Sequence, residues 1–179
     1  MRVHAAEAPA FLLALEQSGI GQAIRQAAWL YPIANTAHIL SLMLFAAAAA
    51  VMDLRILGVF AATSPASVIV PARRTSMLAF GLMVLTGLML FVPDAARVGV
   101  HQVFQIKIAL ISLGVLNALL IAGPALRGVA GIPANVPLPR RTRIAAMLSI
   151  LIWLCVAALG RLIAYFSVDT PPARSRLFA

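Results

Sequence analysis

Four long apolar segments, separated by short stretches rich in arginine, proline and glycine, dominate the chain. They cover approximately residues 29–52, 76–92, 103–122 and 144–166. Each approaches or exceeds the roughly 20 apolar residues that an α-helix needs to cross about 30 Å of hydrocarbon. Helices and closed barrels are the only structures that satisfy their backbone polar groups in lipid, and these segments lack the alternating pattern of strands. The pattern predicts an all-α integral membrane protein, a bundle of four spanning helices.

The composition excludes a water-soluble protein. Apolar residues make up 63% of the chain and charged residues 11%, whereas soluble domains average about 45–50% and about 25%. The formal charge is +9, but the basic residues lie mostly at the ends of the apolar segments, as membrane orientation requires. We therefore expect no nucleic-acid partner. Cys155 is the single cysteine, so no intrachain disulfide forms.

Three regions follow from the pattern. Residues 1–28 alternate apolar and polar side chains at helical spacing, which predicts an amphipathic helix along the membrane interface, with Glu16 and Arg25 facing water. Residues 29–166 form the four-span domain, and residues 167–179 form a flexible tail. Within the domain, the glycines and prolines of residues 125–139 predict an extended loop.

The distribution of arginine predicts the orientation. The two loops after the first and third spans carry seven arginines, and the single loop on the opposite side carries one. Because positively charged loops stay in the cytoplasm, we expect both termini on the periplasmic side of a bacterial inner membrane. Asp53 and Arg55 are two residues apart and do not share a helix face, so we expect them to anchor the end of the first span.

Three ionisable residues lie inside the spans, where such groups are costly and are functional candidates by default. They are His38 in the first span, Lys107 in the third and Arg161 in the fourth. At 1.5 Å per residue, all three lie about 7–10 Å below the membrane surface on the side of the termini, so they can line one pocket. Other side chains can join this pocket: Tyr165, His101, Met89 and, at its floor, Asn117.

One imidazole and two cations, with no carboxylate inside any span, imply that an anion comes from elsewhere. A b-type haem meets this need, since its iron binds imidazole and its propionates bind lysine or arginine. Copper is the alternative, held by His38, His101 and Met89, with Met43 as a further candidate, because imidazole and thioether suit Cu(I). A third interpretation is a structural subunit whose pocket holds lipid or a partner helix, with a hydrogen-bonded histidine and cations that extend to the headgroups.

Several motifs resemble those of a family of small, uncharacterised four-span bacterial membrane proteins. They are Tyr31-Pro32, His38-Ile39-Leu40, Asp53-Leu54-Arg55-Ile56-Leu57-Gly58, Phe104-Gln105-Ile106-Lys107, Asn117 and Gly160-Arg161-Leu162-Ile163-Ala164-Tyr165. The early histidine and lysine are also remotely similar to HemJ-type protoporphyrinogen oxidase and to copper-resistance protein D. These similarities imply a haem oxidoreductase that exchanges electrons with a quinone or a periplasmic partner, or a copper protein. A homo-oligomer is a further expectation.

Overall fold

The computed structural model describes residues 8–123 and 126–168, apart from the side chains of 121, 122, 130 and 161–168. Within these residues the fold is all-helical. Four helices are long and apolar enough to cross a membrane, which confirms the predicted bundle. The α-helices, in chain order, are α1 Ala10–Glu16, α2 Gly19–Gln26, α3 Leu30–Leu57, α4 Pro65–Phe91, α5 Ala95–Gly99, α6 Gln102–Leu116 and α7 Arg140–Val168.

The packing of the four long helices follows the order α4, α3, α7, α6. Helix α3 packs most extensively on α4 and also contacts α7, and α6 packs mainly on α7. An aromatic cluster ties three of them together at mid-height: the Phe45 ring lies 5.6 Å from that of Phe80 and 4.5 Å from that of Trp153. Much of the surface of these helices remains exposed, as lipid-facing spans require.

Helix α4 begins well before the predicted start at residue 76. Pro65 occupies its first turn, and the Ser64 hydroxyl accepts a hydrogen bond from Ser67 N at 3.3 Å. A capping serine followed by proline is a strong start signal for a helix. As a result, Arg73 and Arg74 lie inside the helix and not in the preceding loop.

The terminal end of the bundle carries α1, α2 and the connector of residues 92–101. The predicted single amphipathic helix is two short helices, because Ser18 breaks it and caps α2 by accepting from Gly21 N at 3.2 Å. Both helices pack on the connector. The expectation that Glu16 faces water is wrong: its carboxylate accepts a hydrogen bond from Ala96 N at 2.9 Å, which satisfies a free N–H in the first turn of α5.

The loop end, opposite, carries residues 58–64 and, in the second connection, residues 126–139. The second connection is not simply extended, since it includes a 3-10 turn over Val129–Gly131. Its apolar side chains pack into a buried cluster with the ends of α3, α4 and α7, formed by Ile56, Ile69, Leu126, Val129, Leu138 and Ala146. The connection therefore closes this end of the bundle.

Candidate functional site

His38 contacts α4 through hydrogen bonds at one of its two ring nitrogens. Its Nδ1 lies 3.0 Å from the carbonyl oxygen of Met83 and 3.1 Å from the hydroxyl oxygen of Thr86. The Thr86 hydroxyl in turn donates to the carbonyl of Leu82 at 2.8 Å. The single hydroxyl proton of Thr86 is therefore donated within α4. Toward His38, the Thr86 oxygen can only accept a hydrogen bond.

Both partners of Nδ1 are therefore acceptors, and this decides the tautomer of the neutral ring. A carbonyl oxygen accepts only, so Nδ1 carries the proton and Nε2 carries the lone pair. Nε2 has no hydrogen-bond partner among the described residues. Metal-binding histidines commonly donate their second nitrogen to a backbone carbonyl in this way, because the bond fixes the ring orientation and raises its basicity.

The His38 ring also lies against Gly87, one residue beyond Thr86. A Cβ atom at Gly87 would lie 3.1 Å from Cε1 of His38. Such a contact is tighter than ordinary packing, so glycine is the residue that lets the ring approach the α4 backbone.

Lys107 reaches the same end of the bundle from α6. Its ammonium nitrogen would lie 3.9 Å from a Cβ atom at Gly160 of α7, and it is within electrostatic range of His38. The rings of Phe91 and Phe104 stack with their centroids 5.1 Å apart. This stack holds the start of α6 against the end of α4, near the residues that contact His38.

The other predicted site residues fall in different places. Arg161 and Tyr165 lie in α7, one and five residues after Gly160, and their side chains are outside the described part. His101 is exposed immediately before α6, and Met89 is half-buried on α4, three residues after Thr86. No three side chains of His, Cys, Asp or Glu come together among the described residues. Any metal site in this part of the chain therefore rests on few protein ligands.

Asn117 does not turn toward His38. It begins a π-helical turn, Asn117–Ala122, and its amide donates to the carbonyl of Ala145 at 2.9 Å. Ala145 lies in the second turn of α7, at the loop end. The buried Oδ1 atom of Asn117 has no partner among the described residues.

Asp53 and Arg55 lie near the end of the first span, in the last turns of α3. Both are buried there, at only 2% and 1% exposed. The Arg55 guanidinium donates to the carbonyl of Thr63 at 2.6 Å, and the Asp53 carboxyl faces Ser149 of α7. Both connections fold over the last turn of α3. The number of arginines in these connections does not predict that burial.

Residues 15–167, from α1 to the last turn of α7, match the model of DUF6644, a family of unknown function. The chain belongs to this family. The match covers all four spans and confirms the resemblance to a family without an established function, whereas the remoter similarities to protoporphyrinogen oxidase and copper-resistance protein D have no support among these matches. No curated protein and no solved structure matches the chain.

Proposed function

We propose that this protein binds a b-type haem within the membrane and that Nε2 of His38 would ligate its iron. One observation supports the proposal above all: Nδ1 is 3.0 Å from the Met83 carbonyl, which leaves the lone pair of Nε2 available to a metal. A structural histidine would make the same contact to α4, but it would leave Nε2 without a partner, and a bound metal would use that nitrogen.

The cations of the terminal end support the same ligand. Lys107 forms no ion pair with a described residue, and an unpaired ammonium below the membrane surface favours an anionic partner. The two haem propionates are such partners, and in the proposal they bind Lys107 and Arg161.

The residues near His38 suit a haem iron with one histidine ligand better than one with two. His101 is exposed and outside the spans, so in the proposal Met89 would be the second protein ligand, or a small molecule would take its place. When bound, the haem supplies one-electron redox chemistry. The exchange partner is then a quinone or a periplasmic protein, and the protein acts as a membrane oxidoreductase.

Cofactor content tests the proposal. The protein is purified from membranes in mild detergent, its haem is measured as the pyridine complex, and its iron and copper are measured by elemental analysis. We expect near-stoichiometric haem in the parent protein, its loss in His38→Ala and its retention in His101→Ala, which removes an exposed histidine.

Other results contradict the proposal. Stoichiometric copper without haem favours the copper alternative, with His38, His101 and Met89 as ligands. A folded protein with neither metal favours a structural subunit that binds lipid.

A further inference from the structure

Arg55 presents a buried charge that has no counter-ion among the described residues. The residue is 1% exposed, and its described hydrogen bond goes to a neutral group, the carbonyl of Thr63. Its Nε is buried and has no partner among the described residues. A guanidinium stays protonated in proteins, and a buried charge without a hydrogen-bonded partner of opposite sign is strongly unfavourable.

A cavity of about 170 Å³ at the loop end is lined in part by Arg55. It is bounded by the two connections, and Arg143 in the first turn of α7 lines it together with Arg55 and Asn135. None of the described residues that line it is acidic. Two arginines and one asparagine thus border a space whose described lining carries no negative charge.

The walls of this cavity are held in place by protein contacts. The backbone N–H of Asn135 donates to the carbonyl of Ala61 at 2.8 Å, which joins the two connections. The nearest acidic residue in sequence, Asp53, faces Ser149 of α7 and forms no ion pair with Arg55. The cavity therefore keeps its positive character for a ligand from outside.

We propose that this cavity binds a phosphate-type oxyanion, either free phosphate or the phosphate of an anionic lipid headgroup. Arg55 contacts the anion from the buried side and Arg143 from the exposed side. Guanidinium groups suit phosphate because their planar N–H donors match its oxygens. The site lies at the opposite end of the bundle from His38, so it does not depend on the haem proposal.

The first experiment tests free phosphate. Thermal unfolding of the purified protein in neutral detergent is followed as sodium phosphate is added, with sodium chloride at equal ionic strength as reference. We expect a saturable rise in unfolding temperature. Arg143→Gln removes one charge-assisted contact and raises the half-saturating concentration about tenfold or more, whereas Arg141→Gln, two residues away and outside the cavity, leaves it unchanged.

The second experiment tests the lipid source. Native mass spectrometry counts the phosphatidylglycerol molecules retained by the parent protein and by the same two variants. Retention that falls in Arg143→Gln and not in Arg141→Gln, without a phosphate effect, assigns the site to a headgroup. Arg55→Lys keeps the charge but loses the planar donors, so it weakens whichever ligand binds. If neither ligand binds, or if both variants respond equally, the proposal is wrong.

Discussion

At the level of single residues, His38 makes its hydrogen bonds to α4 through one edge of its ring. Nδ1 is shared between the Met83 carbonyl and the Thr86 hydroxyl, and the absence of a side chain at Gly87 gives the ring its place. The geometry resembles that of a positioned ligand, in which neighbouring atoms fix the tautomer and leave one nitrogen available.

Two glycines of α4 allow a direct comparison. A Cβ at Gly81 would meet no atom within 4 Å, but one at Gly87 would lie 3.1 Å from the His38 ring. Gly81→Ala should stabilise the protein by up to about 1 kcal/mol, because alanine favours helix. Gly87→Ala should show no such gain and should reduce haem content, since it displaces the ring. Unfolding temperature and bound haem measure both effects, and equal stabilisation by the two variants would contradict the packing described.

Sequence reasoning identifies the ionisable residues of the spans but not their contacts. His38 and Lys107 are conspicuous because ionisable groups are rare in apolar segments. Thr86 and the Met83 carbonyl are not, since an isolated threonine is unremarkable in a span and every residue has a carbonyl. Which of them faces His38 depends on the rotation of α4 about its axis, and an apolar segment without a polar face does not determine that rotation.

At the level of elements, α1 and α2 are joined to the connector of residues 92–101 by polar contacts. The Arg25 guanidinium donates to the carbonyl of Pro93 at 2.6 Å and lies 3.5 Å from the Glu16 carboxylate. That carboxylate also accepts from Ala96 N. The interfacial segment therefore covers the terminal end of the bundle.

Glu16→Ala tests this arrangement. It leaves the N–H of Ala96 without its acceptor, and we expect a local loss of about 1–2 kcal/mol. Hydrogen exchange over residues 10–26 should accelerate correspondingly. Gln17→Ala, at the exposed neighbouring position, serves as control, and unchanged exchange in Glu16→Ala would show that the contact does not hold the segment.

Element boundaries illustrate how far the sequence determines the fold. The apolar segments predict which residues cross the bilayer, but α4 begins at Pro65, eleven positions before the predicted residue 76. The helix continues through Arg73 and Arg74 because a helix does not need apolar residues once it leaves the lipid. Start signals such as Ser64 and Pro65 place its first turn better than hydropathy does.

At the level of the whole molecule, the polar side chains discussed above lie in two sets at opposite ends. His38 and Lys107 lie toward the terminal end, and Asp53, Arg55 and Asn117 toward the loop end. The alternating direction of the spans predicts the first set. The second set depends on how residues 58–64 and 126–139 fold over the bundle, which involves long-range packing that sequence periodicity does not encode.

The orientation of these two ends in the membrane is a separate prediction. Because the arginine-rich connections belong to the loop end, we expect that end in the cytoplasm and both termini in the periplasm. A reporter active only in the periplasm, fused to the C-terminus, should be active, and the same reporter inserted near residue 62 should be inactive. The reverse pattern would contradict the orientation.

The tautomer of His38 is the observation on which the haem proposal rests, and it can be measured directly. Nitrogen-15 NMR of protein labelled only at histidine, prepared without haem at alkaline pH, distinguishes protonated from unprotonated ring nitrogens. The chain has three histidines, and the signals lost in His38→Ala identify those of His38. We predict a protonated Nδ1 and an unprotonated Nε2. A protonated Nε2 with an unprotonated Nδ1 would contradict the hydrogen bond to Met83 and remove the basis for a metal ligand at this position.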